Sequence, residues 1–301
     1  MSKVLGNGIA FNPIVLLLLI LFSFPLYAQK IVKGKVINKI TRLGVPYTTI
    51  GLIKENKGTS ANSEGEFKIS ASLYSEDSLR FSSVGYKTLI ISLNNMSENA
   101  VVELEDESTI LNEVFITKDY KNVVLNQFNG CSLNYFSPAL ISFSQLACYF
   151  KTPEENMKVK EINLCKLASN SLFRIRFYLY DSTSKGPGKD ISDKVIEINS
   201  SKRKVEENLE KYNIIIPGRE FFVAIEWIFT DFNAFKMKAK INKKQIKYIA
   251  YNPNISFKDL KENVNDAESQ EFVWVLNFNG KWEYLNPQFR SNNFLISLKM
   301  Q

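Results

Sequence analysis

The chain has 301 residues, of which 45% are hydrophobic and 23% charged, with a formal net charge of +7. That composition excludes a disordered or low-complexity chain, and the length predicts about two hydrophobic cores. With no histidine in the sequence, Ser-His-Asp and Cys-His nucleophiles, imidazole general bases and His-containing zinc sites are all excluded.

The N-terminus places Lys3 before an apolar run from Ile14 to Phe24, then Pro25 and Leu26-Tyr27-Ala28. This order of basic, apolar and small residues is that of a secretory signal, and cleavage is expected after Ala28. The competing reading, a membrane anchor, is disfavoured because the run is shorter than the ~20 residues a spanning helix needs. No cysteine follows the run for lipid attachment. The mature chain, then, is expected to be exported to the periplasm, the outer-membrane surface or the extracellular space, without a transmembrane segment.

Residues 30–117 alternate apolar and polar residues in short segments divided by turn residues, the pattern of a β-sandwich. Strands are predicted at 31–37, 47–53, 58–62, 66–70, 78–83, 86–93, 101–105 and 113–117. Asn62-Ser63-Glu64-Gly65 reads as a hairpin turn in which Gly65 supplies a positive φ.

Gly34-Lys35-Val36, Val45-Pro46-Tyr47, Gly58-Thr59, Gly65-Glu66-Phe67, Val84-Gly85-Tyr86-Lys87 and Leu111-Asn112-Glu113-Val114 occur in an order that resembles the carboxypeptidase-regulatory-like domain family. The resemblance implies a seven-stranded, transthyretin-like Greek-key sandwich serving as a structural or partner-binding module. It implies no activity, because in the enzymes that gave the family its name catalysis belongs to a separate zinc domain with histidine ligands. Asn62, where the family often has Asp, and the long basic loop from Asn38 to Gly44 depart from the pattern. Leu111 to Thr117 is similar to a segment that follows such domains in TonB-dependent transporters. A last strand plus linker is the preferred reading there, since too little chain follows for a transporter barrel.

Residues 118–129 read as a linker, and a second domain is expected over 130–301, with strands at 140–150, 157–166, 173–180, 195–199, 213–216, 221–229, 236–241, 245–251, 272–278, 281–285 and 294–298. Few helix signals interrupt them, which suits a larger, jelly-roll-like sandwich. Short helices are predicted at 202–212 and 256–269, and Lys185-Gly186-Pro187-Gly188-Lys189 reads as a turn. Cys131, Cys148 and Cys165 are either buried core residues or include one disulfide pair, and their odd number leaves a thiol over.

Arg174, Arg176, Tyr178 and Tyr180 alternate with Phe173, Ile175, Phe177 and Leu179, so the two sets point to opposite faces. The polar set is expected to stay accessible and is a candidate ligand-binding face for an acidic or sugar ligand. The competing reading is an outer face of cross-strand ion pairs, with Glu226 as one partner. Trp227 and Trp274 are core candidates. Trp282 and Tyr284 return from the Asn279-Gly280 turn on one side of a strand and are candidate sugar-binding aromatics. Lysines at 236, 238, 240, 243, 244 and 247 either guard strand edges or meet an anionic glycan or lipid head group.

No cofactor or metal site is expected, since no cluster of ligands has the required spacing, and no catalytic residue is assigned. The excess of basic residues lies from Lys118 onward, which in an exported chain suits an acidic surface and not nucleic acid. The expected function is that of an exported, non-catalytic cell-envelope protein that binds a protein or glycan partner. The alternatives are a carboxylate-dependent glycoside hydrolase on the second domain and an accessory subunit of an outer-membrane transport system.

Overall fold

A computed structural model describes residues 29–72, 76–107, 121–138, 143–192, 194–241, 244–258, 273–285 and 289–301. These residues are all-β apart from the short 3-10 turns Leu93–Asn95, Glu210–Tyr212 and Ser291–Asn293. Among them no helix is long and apolar enough to cross a membrane. The proposed signal segment, the strand at 113–117 and most of the helix at 256–269 lie outside the described residues.

Seven strands form the first body: β1 (Gln29–Asn38), β2 (Thr49–Leu52), β3 (Lys57–Ser60), β4 (Glu66–Ser72), β5 (Ser78–Ser82), β6 (Leu89–Ser92) and β7 (Ala100–Leu104). They make two sheets, ordered β4-β1-β7 and β3-β2-β5-β6. Alternation sorts the side chains: in β4, Phe67, Ile69 and Ala71 are buried while Glu66 and Lys68 are exposed. Val32, Val36, Ile50, Leu52, Leu79 and Phe81 complete one core between the sheets, where Phe67 and Phe81 meet edge to face at 5.5 Å. At the β3–β4 turn the Asn62 Oδ1 accepts from the Glu64 and Glu66 amides, and Gly65 adopts φ +83°. The turn expected from the sequence is therefore present.

The second body begins earlier than expected, with β8 (Val123–Leu125) and β9 (Asn134–Phe136), followed by β10 (Phe143–Lys151), β11 (Met157–Cys165) and β12 (Ser171–Asp181). Next come β13 (Gly186–Asp190), β14 (Ile196–Ser200), β15 (Lys204–Asn208), β16 (Ile215–Ile216) and β17 (Glu220–Trp227). The last are β18 (Ala234–Ile241), β19 (Lys244–Tyr251), β20 (Ile255–Phe257), β21 (Val273–Asn277), β22 (Trp282–Tyr284) and β23 (Ile296–Met300). A large sheet runs β13-β12-β17-β10-β21-β22 with β14 also on β12, and a smaller one runs β15-β11-β23-β8 with β16 also on β11. Between them lies a second core that includes Leu146, Phe173, Phe177, Val223 and Trp227 from the large sheet and Val159, Ile162, Leu164 and Leu298 from the small one.

Several local expectations are corrected. The linker at 118–129 contributes β8, which pairs with β23, because Val123 and Leu125 pack against the second core. Within residues 202–212, Lys204–Asn208 form strand β15, with Val205 buried and Glu206 exposed in alternation, and only Glu210–Tyr212 is helical, as a single 3-10 turn. The start of the helix expected at 256–269 is instead in strand β20. The turn read at 185–189 is largely strand β13, an edge strand where Pro187 needs no inward amide. Cys131 and Cys165 are joined in a disulfide, while Cys148 is a buried free thiol whose pKa burial pushes up.

Candidate functional site

Strand β17 is buried along nearly its whole length, which a strand with one solvated face would not be. Phe221, Val223, Ile225 and Trp227 enter the second core. Phe222, Ala224 and Glu226 point the other way, onto the outer face of the large sheet. Registered beside them on that face are Arg174, Arg176 and Tyr178 of β12, and Gln145, Ala147 and Tyr149 of β10. Trp274 of β21 with Trp282 and Tyr284 of β22 continue the face. All six candidate residues read from the sequence therefore share one surface.

Part of that surface is covered by the first sandwich. The Arg174 guanidinium donates to the Tyr47 carbonyl at 3.3 Å and the Pro46 carbonyl at 3.1 Å. It also lies 5.5 Å from the Tyr47 ring centroid. Glu226 accepts from the Thr49 hydroxyl at 3.2 Å and from Arg176 at 3.1 Å. Arg176 donates in addition to Asp190 through Nε at 2.8 Å and through Nη2. Around them β3 exchanges bonds with Phe229: the Phe229 amide donates to the Ser60 hydroxyl at 3.0 Å, and its carbonyl accepts from Thr59.

The contact is close because the facing surface of the first sandwich is made of small residues. On β2 and β3, Gly51, Gly58, Thr49 and Ser60 share that side. A Cβ at Gly51 would overlap the Phe278 backbone, and one at Gly58 would overlap its ring. Arg80 reaches across from β5 and packs against Gly280 in the β21–β22 turn. Burial lowers its pKa, with Tyr178 and Glu226 acting in the opposite sense. Burial also works against the Arg176 charge, but Tyr178, Glu226 and Asp190 outweigh it and hold its pKa above the ordinary value.

The expectation that the Arg174 set stays accessible is corrected: Arg174 is 3% and Tyr178 6% exposed, and Arg176 is an ion-pair partner. The physical reason is that the first sandwich docks on the face, supplying carbonyls and a hydroxyl in place of water. Glu226, the ion-pair partner named from the sequence, does hold Arg176. Thr49, Arg80, Tyr47 and Gly51 of the first sandwich carry no signal of this role, and no spacing within the sequence links them to β12.

Beyond the covered part an aromatic cluster continues. Tyr178 meets Trp282 edge to face at 5.2 Å and donates its hydroxyl to Gln145 at 2.8 Å. Tyr284 lies over Trp274 with ring centroids 4.0 Å apart. Tyr149 contacts both Tyr180 and Phe222 and bonds to Glu220. Trp227 is a core residue, as expected, and Trp274 is also buried, but it lies beneath Tyr284 on the outer face and its indole N–H finds no protein partner. Tyr180 and Trp282 are partly exposed, and Tyr284 is 47% exposed. No group of three or more potential metal ligands occurs among the described residues.

A search of curated proteins finds no match. Among solved structures, the chain is similar to the clostridial cysteine protease Cwp84 after propeptide cleavage, with TM-score 0.37 and 10% identity over 91% of this chain and 71% of that one. It is also similar to the cysteine protease and lectin-like domains of Cwp84, a surface layer associated protein of Clostridium difficile, with TM-score 0.35 and 10% identity over 85% of this chain and 59% of that one. Residues 32–116, a range that includes most of the first sandwich, match the family model described as the CarboxypepD_reg-like domain, the family its motifs resemble.

Proposed function

We propose that this chain is an exported, non-catalytic protein of the cell envelope that binds a glycan or protein partner at the aromatic end of the large sheet. The observation that carries the reading is the gathering of Tyr180, Trp282 and Tyr284, all partly exposed, beside the part of the face that the first sandwich covers. Aromatic rings of this kind stack on sugar rings and also anchor protein contacts. The Cys131–Cys165 disulfide supports export, because such bonds persist in oxidising compartments. The carboxylates of the face are already engaged, Glu226 and Asp190 by Arg176 and Glu220 by Tyr149, which favours binding over carboxylate catalysis.

The test uses protein from Gln29 to Gln301 on a glycan array, paired with capture from an envelope extract. A retained glycan or protein is expected to bind about fivefold more weakly to Tyr284→Ala, the loss of about 1 kcal/mol of ring contact. Because Tyr284 also covers Trp274, Tm is measured beside binding, and a retained Tm assigns the loss to the partner contact. Failure to retain any partner, or equal binding by Tyr284→Ala and Trp282→Ala, would sink the reading.

A further inference from the structure

Strands β18 and β19 form a two-stranded sheet that pairs with no other described strand. Such a ribbon is marginal by itself in water and needs a surface against which to pack. Its root is fixed where the Asn252 amide donates to the Asn233 carbonyl and Tyr251 packs on Phe229 at 5.0 Å. From there the register separates two faces, since directly paired residues share a side.

Lys236 pairs with Ile249 and Lys238 with Lys247 on one face, and all four side chains are exposed. Met237 pairs with Tyr248 on the other, where the Tyr248 hydroxyl lies 3.7 Å from the Met237 sulfur. Phe235 and Ile246 share that side, and Ile246 is 41% exposed. The stretch from Ala234 to Tyr251 contains six lysines and no Asp or Glu. Lys238 and Lys247 face each other as like charges, which destabilises a strand pair unless an anion lies between them. None of Lys236, Lys238 and Lys247 makes an ion pair with a described carboxylate.

We infer that this hairpin docks the protein onto an anionic lipid bilayer. Its apolar side, Phe235, Met237, Ile246 and Tyr248, enters the boundary between head groups and acyl chains while the lysines meet lipid phosphates. A soluble anionic polysaccharide would satisfy the lysines but leave the apolar side in water, whereas a bilayer surface accommodates both. This surface is distinct from the aromatic end of the large sheet and does not depend on what binds there.

The experiment is cosedimentation of protein from Gln29 to Gln301 with vesicles. Both cores are built from Val32 onward, so this protein keeps them while lacking the apolar N-terminal run. Vesicles of phosphatidylcholine with phosphatidylglycerol should bind, vesicles of phosphatidylcholine alone should not, and added salt should release the protein. The variant Lys236→Gln, Lys238→Gln, Lys247→Gln is expected to bind roughly a hundredfold more weakly, about fivefold for each lysine near an anionic surface. Ile246→Ser should also weaken binding, and both variants should keep the wild-type Tm because every altered side chain is exposed. Trp282→Ala should bind vesicles as wild type does, which separates this surface from the aromatic one. The inference is overturned if anionic vesicles are not bound, if the lysine variant binds them undiminished, or if Ile246→Ser has no effect while dextran sulfate competes fully, the pattern of a polysaccharide site.

Discussion

Arg176 and Lys166 show two ways in which a buried cation is tolerated. Arg176 has two carboxylates from neighbouring strands, Asp190 and Glu226, and its charge is held. Lys166 follows the disulfide-bonded Cys165, is buried, and among the described residues has only carbonyls for partners: its Nζ donates to Ser169 at 2.7 Å and to Leu167 at 3.3 Å. Desolvation lowers its pKa from 10.5 to about 8. The folded state thus disfavours the protonated amine, and below about pH 8 that cost is fully present. As pH rises from about 8 to 10.5 the unfolded chain still holds the proton that the folded chain has lost, so stability rises. The difference in Tm between wild type and Lys166→Met should shift in favour of the wild type across this window. A difference that stays flat would mean that the amine is not desolvated. Alternation in the sequence assigns Arg176 its face and points to Glu226 as its partner; Asp190 comes from an edge strand that the sequence presents as the end of a turn. Lys166 gives no signal, because burial of a single side chain depends on the loops that cross over it.

At the scale of elements, period-two patterning locates nearly all of the strands with long apolar runs. It misses β8, β9, β13, β15 and β20, strands of three to five residues that are held by pairing to a neighbour. The flat surface of β2 and β3 is a second case. Gly51 in a strand reads as a weak point, yet it permits the backbone of Phe278 to approach. Gly51→Ala should lower stability by about 1 to 3 kcal/mol, the range for overpacking a close contact. A Cβ at Gly218 would meet nothing within 4 Å, so Gly218→Ala should cost little. Equal denaturant midpoints for the two variants would show that the approach of Phe278 to β2 is not close in solution.

For the whole molecule, the disulfide closes the segment between Cys131 and Cys165, a sequence separation of 34. It ties the stretch before β9 to the end of β11. In the chain-entropy view such a loop contributes about 3 to 4 kcal/mol by restricting the unfolded chain. Cys131→Ser should therefore unfold at a lower denaturant concentration than oxidised wild type, and wild type under reducing conditions should move toward the variant. Coincident midpoints in all three samples would argue that the bond does not form.

Composition, alternation and turn residues were enough to establish an all-β chain, its first sandwich and the sharing of one face by Arg174, Arg176, Tyr178 and Tyr180. The lack of histidine likewise removed whole classes of chemistry from the sequence alone. Which part of the large sheet's outer face stays open was decided only by the tertiary structure. Strand periodicity reports the two sides of a strand but not what packs on either, and the carbonyls and hydroxyl that meet Arg174 and Glu226 lie more than a hundred residues away in the chain.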